Sequence, residues 1–264
     1  MGPDDGANRW SFVNPLGIFV MVVIAAAWEL MVRAKIAEVQ FLPAPSEIAT
    51  AAHDAVFDGD LVGRSIHTLG VTLLGWSVAS LVGVAMGLLL GLSRTAYRYS
   101  MTSFEVTRAI PPITLAPAAL LIFGFSLKME LVLVVFGGTW PVLINTVGGV
   151  RRIAPELRDV GTMLRLSRPA TIHKIVLPAA LPSVMVGLRL ALSLCLVLAI
   201  VAEIVGNPAG LGNGLISARQ SLKPALMFTY VIAAGLLGIA LNAALGGVAK
   251  LLISTDRTLK DSPW

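Results

Sequence analysis

The chain has 264 residues, of which 56% are hydrophobic and only 13% are charged, and its mean hydropathy is +0.83. A soluble domain carries about 25% charged residues, so this composition excludes a soluble enzyme, a disordered regulator and a disulfide-rich scaffold. The formal net charge is +5 and the one cysteine, Cys195, lies in an apolar run. These features together predict an integral membrane protein.

Six runs are long and apolar enough to cross a bilayer, which takes about 20 residues. They cover residues 15–31, 66–92, 103–125, 131–150, 181–205 and 226–253. Gly83 and Gly87 form a small-xxx-small pair that permits close helix contact in the second run. Pro111, Pro112 and Pro117 interrupt the third run. The predicted fold is therefore an all-α, polytopic membrane protein of about six transmembrane helices, with residues 1–264 forming a single domain.

An even number of spans places both termini on the same side of the membrane. The segments on that side carry about twice as many Lys and Arg residues as the opposite segments, so the positive-inside rule predicts cytoplasmic termini. Residues 41–65 then lie outside, where we expect an amphipathic helix with Ser46 as its N-cap.

The segment 151–180 then lies in the cytoplasm and carries two predicted helix starts. Pro155 suits the first turn of one helix, and Ser167 followed by Arg168 and Pro169 suits the start of another. The residues alone allow two interpretations. The segment is either a pair of short helices projecting between two spans or a basic loop lying against anionic lipid.

This segment resembles the EAA loop of permease subunits of binding-protein-dependent ABC importers. The signature of that loop is Glu-Ala-Ala, three residues, Gly, nine residues and Ile-x-Leu-Pro. Here Asp159-Val160-Gly161 stands in the first place, Arg165 replaces the glycine, and Ile175-Val176-Leu177-Pro178 follows in register. Either the bend at Arg165 needs no positive φ, or Arg165 is strained there.

Other segments are similar to the branch of this family that serves nitrate, taurine and aliphatic sulfonates. They are Phe41-Leu-Pro-Ala-Pro45, Arg108-Ala-Ile-Pro-Pro112, Trp140-Pro-Val-Leu-Ile-Asn-Thr146, Pro178-Ala-Ala-Leu-Pro182, Gly187-Leu-Arg189, and Ala202-Glu203 through Gly210-Leu-Gly212. The resemblance implies a multi-pass permease of the bacterial cytoplasmic (inner) membrane, not an enzyme. It would pass a small solute such as a sulfonate, taurine or nitrate, delivered by an external binding protein.

The resemblance also implies partners. They are a second permease copy, which gives a homodimer, and two ATP-binding-cassette ATPase subunits, with no nucleic acid involved. The chain has no G-x-x-x-x-G-K-[ST] motif, so ATP and Mg²⁺ are expected in the ATPase subunits and no cofactor is expected in this chain.

The resemblance assigns contact with the ATPase to the loop. The residues concerned are Asp159, Gly161, Leu164, Arg165, Leu166, Arg168, Ile172, Ile175, Leu177 and Pro178. Leu164, Leu166 and Ile172 form the expected apolar anchor. The alternative is that Leu164 and Ile172 pack the loop against its own spans.

Polar and proline residues inside the spans are candidates for the translocation path. They are Arg108, Pro111, Pro112, Asn145, Thr146, Arg189 and Glu203. Arg189 lies near mid-depth, where it is either an anion ligand or a structural partner at a helix contact. The alternative interpretation of Arg108 is that it pairs with Glu105 on the same helix face.

No metal site is predicted, because His53, His67 and His173 are scattered without ligand spacing. The remaining alternative function is a self-sufficient secondary transporter of a small anion. It is disfavoured because the two halves show no evident inverted repeat.

Overall fold

A computed structural model describes residues 15–34, 41–57 and 59–254, apart from the side chains of residues 15, 158–160, 162 and 250–254. These ranges are helical and contain no β-strand. The helices are α1 (Pro15–Arg33), α2 (Pro45–Phe57), α3 (Leu61–Leu92), α4 (Arg94–Arg108), α5 (Ala116–Phe123), α6 (Leu127–Arg151), α7 (Pro155–Met163), α8 (Arg168–Thr171), α9 (Leu177–Gly206), α10 (Gly210–Gln220) and α11 (Pro224–Ser254). A 3₁₀ turn (Pro112–Leu115) precedes α5, and a π-helical turn (Ile172–Val176) joins α8 to α9.

Five described segments are long and apolar enough to span a bilayer: α1, α3, α6, α9 together with α8, and α11. A sixth is the bent pair α4–α5, whose two halves meet at 77°. The prediction of an all-α membrane protein with about six spans is therefore confirmed. The prediction of cytoplasmic termini concerns residues 1–14 and 255–264, which lie outside the described residues.

The bent pair differs from the predicted third span, which began at residue 103. Helix α4 already begins at Arg94 and carries a polar sequence that a hydropathy window does not detect. It ends at Arg108, just before Pro111 and Pro112, because a residue preceding proline is disfavoured in the helical conformation.

The bent pair follows α6 along its length. The Arg151 guanidinium lies 3.8 Å from the Tyr97 ring centroid, and the Phe104 and Trp140 ring centroids are 6.1 Å apart. Further along, Ala116 packs in one cluster with Met129 and Leu133 of α6. The bent pair α4–α5 thus runs antiparallel to α6 over the length of α6. We call the end that bears residues 151–176 the loop end and the opposite end the α10 end.

Helices α3, α6 and α9 form the core. Glycines on α3 let it approach α6 closely, and each packs against a residue 59 positions later: Gly75 on Val134, Gly83 on Val142, Gly87 on Thr146 and Gly91 on Val150. The constant offset means that the two helices run parallel. The predicted close contact through Gly83 and Gly87 is confirmed. Helix α9 packs against both α6 and α3, and its contacts with α6 include Gly149 against Ser183 and Gly187 against Asn145.

Helix α2 packs against α11 through its inward-facing residues Ile48 and Ala55. Ser46 is the second residue of this helix and not its N-cap as predicted. Its backbone N–H donates to the Glu29 carboxylate over 3.0 Å, and its hydroxyl donates to the same group over 2.8 Å. A side chain of α1 therefore satisfies a free N–H at the start of α2.

Candidate functional site

The segment between α6 and α9 contains the two predicted short helices. Helix α7 begins at Pro155, and α8 begins at Arg168 with Ser167 at the N-cap position. Through the π-helical turn, the chain from Arg168 to Gly206 is one continuous helical segment. Val176 anchors this segment in a buried cluster with Val150 and Ile153 of the preceding segment. The pair of short helices is therefore continuous with a core helix.

Arg165 has a left-handed backbone, with φ of +49°. The Leu166 N–H donates to the Gly161 carbonyl over 3.0 Å. This is the six-residue hydrogen bond of a Schellman motif, and it places Arg165 at the position that glycine usually occupies. Of the two alternatives drawn from the sequence, a bend that strains Arg165 is the one observed.

Gly161 is buried where α7 crosses the second short helix. A methyl group added to Gly161 would lie 3.2 Å from Thr171 Cγ2 and 3.3 Å from Ile175 Cδ1. The absence of a side chain lets the two helices pack closely. The turn after α7 then projects Met163 and Leu164, which are 80% and 64% exposed.

The three predicted anchor residues are placed differently. Leu164 is exposed at the tip, whereas Leu166 and Ile172 are half-buried. Leu166 and Ile172 line a groove of 620 Å³ together with Leu89 and Leu92 of α3.

The other predicted coupling residues either line this groove or lie beside it in the sequence. Arg168 lines the groove, Arg165 is exposed, and Leu177 and Pro178 form the start of α9. The side chain of Asp159 lies outside the described residues.

The break in the bent pair holds three of the predicted path residues. Arg108 and Pro111 are exposed, and Pro112 is half-buried against α6. Glu105 is also exposed, and among the described ion pairs none joins it to Arg108. The exposed face of a polar, broken span is suited to lining a cavity.

Asn145 and Thr146 lie at helix contacts. Thr146 is fully buried against Gly87, and its hydroxyl donates to the Val142 carbonyl over 2.7 Å. The Asn145 amide donates to the Pro141 carbonyl over 2.8 Å, and its Cβ lies beside Gly187. Helix packing thus places Thr146 against α3 and Asn145 against α9.

Arg189 is exposed near the middle of α9. It lines a groove of 810 Å³ with Asn242 and the glycine-rich face of α11. Asn242 is held by its amide, which donates to the Ser193 hydroxyl over 3.1 Å. None of the described ion pairs includes Arg189.

Glu203 lies at the α10 end of α9 and is 1% exposed. Its carboxylate accepts from the Thr68 hydroxyl over 2.7 Å and from the Gly212 N–H over 2.8 Å. The Thr68 hydroxyl also accepts from the Leu211 N–H over 2.9 Å. Gly210 has φ of +85°, and a Cβ there would overlap the Glu203 carboxyl group. Glu203 therefore fastens the first turn of α10 to α3 and α9.

Sequence reasoning missed the partners of Glu203. Arg64, His67 and Thr68 lie on the first turns of α3, and polar residues three and four apart inside a span share one face. This spacing is the feature of the sequence from which a polar contact at the start of α3 could have been predicted.

Residues 79–255 match the family described as the binding-protein-dependent transport system inner membrane component. The chain belongs to this family. As a member, it is a permease subunit of a binding-protein-dependent ABC importer.

Several curated members of this family are similar over most of their length. The aliphatic sulfonates transport permease protein SsuC of Escherichia coli is 34% identical over 83% of this chain and 84% of that protein. SsuC of Bacillus subtilis is 28% identical over 88% of this chain and 84% of that protein. The nitrate import permease protein NrtB of Leptolyngbya laminosa is 26% identical over 94% of this chain and 90% of that protein.

A solved structure of the MetNI methionine ABC transporter, in an inward-facing conformation, has the same fold. The TM-score is 0.59 at 20% sequence identity, covering 71% of this chain and 95% of that chain.

Proposed function

We propose that this importer permease carries a small anion, such as a sulfonate, taurine or nitrate, across the bacterial inner membrane. Two copies of the chain form the pathway, an external binding protein delivers the solute, and two separate ATPase subunits bind ATP and Mg²⁺. The positive-inside distribution of basic residues supports a cytoplasmic loop end, where the ATPases would bind.

The exposed tip of the loop carries the coupling part of this proposal. Met163 and Leu164 project from a helix whose end is closed by a Schellman motif. Adjacent apolar side chains that are exposed and bordered by polar residues mark a candidate protein–protein contact. From Arg168 onward the loop continues into α9 as one helical segment, so a displacement of α8 would move a core helix.

Binding of the ATPase tests this assignment. The chain, tagged and co-expressed with its ATPase, is purified in mild detergent as wild type, Leu164→Asp and Leu222→Asp. Leu222 is the matched control because it is 72% exposed at the opposite end of the molecule. We expect Leu164→Asp to lose the ATPase and Leu222→Asp to retain it. Full retention in Leu164→Asp, with normal uptake, would contradict the coupling role.

The anion part of the proposal depends on Arg189. A charged side chain at mid-depth costs at least about 2.5–3.5 kcal/mol if it faces lipid. Its exposure beside an open groove favours a position facing water or the second copy. The substrates named for SsuC and NrtB are anions, which a guanidinium binds well.

Uptake of labelled sulfonate, taurine and nitrate tests the anion role in proteoliposomes that hold the ATPase and receive the binding protein. We expect Arg189→Gln to lower uptake by about tenfold or more, and Arg189→Lys to retain more of it because the charge remains. Arg98→Gln, on an exposed position of α4, serves as the control. Uptake by Arg189→Gln equal to that of wild type would overturn the role, and ATP-independent uptake driven by an ion gradient would overturn the importer assignment.

Cysteine cross-linking tests the second copy. Ser193 is exposed one turn after Arg189, and the native Cys195 is fully buried. We expect Ser193→Cys to form a disulfide-linked dimer on mild oxidation in membranes that contain only this permease. Gly70→Cys is the control, because Gly70 lies on α3 and a side chain there would meet no other described residue of the chain within 4 Å. A Ser193→Cys chain that stays monomeric would argue against a homodimer closed across this face.

A further inference from the structure

Three potential metal ligands from the three core helices meet at the α10 end. They are His67 of α3, Glu130 of α6 and Glu203 of α9, and one ligand atom from each lies within 4.8 Å of the others. Glu130 is 0% exposed and Glu203 is 1% exposed. The histidine and Glu130 are 63 positions apart, so no local spacing in the sequence reveals the group.

The distances suit a shared ion better than a direct hydrogen bond. His67 Nε2 lies 3.3 Å and 3.5 Å from the two oxygens of Glu130, which is long for a hydrogen bond between an imidazole and a carboxylate. Two ligands of a tetrahedral zinc ion, each at about 2.0–2.1 Å, lie about 3.3 Å apart. Small side-chain rotations would therefore bring the ligands to coordinating distance.

The positive charges near the group do not match its two buried carboxylates one for one, because Arg64 interacts with Glu203 and only His67 contacts Glu130 among the described residues. Glu203 accepts from Thr68 and Gly212, but among the described contacts Glu130 has only His67. The nearby Arg64 directs Nη1 to Asn213 Oδ1 over 2.9 Å and to the Gly210 carbonyl over 3.3 Å. Two buried carboxylates this close repel each other unless a cation or a proton lies between them.

A surface groove borders the group on the side of Glu203, and its lining mixes polar residues with apolar ones such as Phe125 and Ile216. This groove of 450 Å³ lies at the α10 end, and its polar lining includes the side chains of Asn207, Asn213, Ser217 and Gln220. The Asn207 amide lies 3.5 Å from His67 Nε2. Amide and hydroxyl oxygens along such a groove offer weak ligands to an entering cation.

We propose that His67, Glu130 and Glu203 form a binding site for a divalent transition-metal ion, with Zn²⁺ as the best match. One imidazole and two carboxylates suit Zn²⁺ better than Ca²⁺ or Mg²⁺, which prefer six or more oxygen ligands. The bound ion would link α3, α6 and α9 at the α10 end. This inference does not depend on the identity of the transported solute.

Calorimetric titration of the metal-stripped, full-length permease with ZnCl₂ tests the site. We expect one Zn²⁺ per chain, and His67→Ala and Glu130→Gln to weaken binding by about tenfold or more. His53→Ala is the matched control, because His53 is an exposed histidine that lies 3.4 Å from an Asp54 oxygen. Glu203 is left unchanged because it also fastens α10.

Two further measurements identify the ligands of the ion and its effect on stability. X-ray absorption at the zinc edge of the wild-type protein should show nitrogen and oxygen ligands in a low coordination number. Added Zn²⁺ should raise the thermal unfolding temperature of the wild type and of His53→Ala, but not of His67→Ala. The proposal is overturned if the wild type binds no stoichiometric Zn²⁺. It is equally overturned if His67→Ala and Glu130→Gln, eluting as folded monodisperse proteins, bind Zn²⁺ as the wild type does.

Discussion

The backbone N–H of Leu166 donates to the carbonyl of Gly161 over 3.0 Å, and this bond closes the end of α7 around a left-handed Arg165. A non-glycine residue in this conformation costs about 1–2 kcal/mol because its Cβ crowds the following carbonyl. The protein therefore retains strain at the tip of the loop between α6 and α9.

The strain at Arg165 predicts the effect of restoring glycine. We expect Arg165→Gly to stabilise the loop by up to about 1 kcal/mol, since glycine adopts positive φ freely but has more entropy in the unfolded chain. Amide hydrogen exchange of α7 would measure this as slower exchange. Arg168→Gly is the control, because Arg168 lies in a right-handed helical turn where glycine destabilises. Faster exchange in Arg165→Gly than in wild type would show that Arg165 makes a compensating contact.

The α3–α6 contact predicts a strong position effect of valine. At Gly83 a Cβ would lie 2.7 Å from Val142 Cβ, whereas at Gly70 no atom lies within 4 Å. We expect Gly83→Val to destabilise the protein by about 1–3 kcal/mol through overpacking, and Gly70→Val to have little effect. Thermal unfolding in detergent, followed by circular dichroism, compares the two. Equal unfolding temperatures would contradict the observed helix separation.

Two buried threonines one turn apart on α3 are expected to respond differently. Thr68 bonds Glu203 and the Leu211 N–H, while the Thr72 hydroxyl has no hydrogen-bond partner among the described residues. Thr68→Val should cost about 1–3 kcal/mol because it leaves buried polar groups unpaired. Thr72→Val should be neutral or stabilising, since it removes an unpaired buried hydroxyl. The order of the two unfolding temperatures decides the matter, and a reversed order would refute the assigned network.

Two tryptophans provide a similar comparison. The Trp76 indole N–H donates to the Leu188 carbonyl over 2.9 Å and joins α3 to α9, whereas the buried Trp140 N–H has no described partner. Trp76→Phe and Trp140→Phe remove a similar apolar area. Trp76→Phe should therefore lower the free energy of unfolding by about 0.5–1.5 kcal/mol more than Trp140→Phe does. Chemical denaturation in a fixed detergent mixture would measure the difference. A larger loss in Trp140→Phe would mean that its ring contacts with Phe104 and Phe136 outweigh the hydrogen bond.

Local signals in the sequence predicted the spans, the glycine contact and both short helices of the loop. Pro155 and Ser167 act on the backbone next to them, and the Gly83–Gly87 spacing marks a helix face suited to close contact, so these features can be derived without the fold. The orientation of Thr146 depends on which face of α6 meets α3, and long apolar helices with little periodicity do not reveal that face. The meeting of His67, Glu130 and Glu203 depends on three helices packing together, which no spacing along the chain encodes.

The constant offset of 59 residues between the α3 glycines and their partners on α6 limits how the length of these helices can change. Deleting one residue between Gly75 and Gly83 would turn the rest of α3 by about 100° and shift it by about 1.5 Å. Every later glycine would then leave its partner, and bulky side chains would take its place. Insertions and deletions are therefore expected to be confined to segments outside this pair, such as α1, in which no residue from Leu16 to Arg33 is buried.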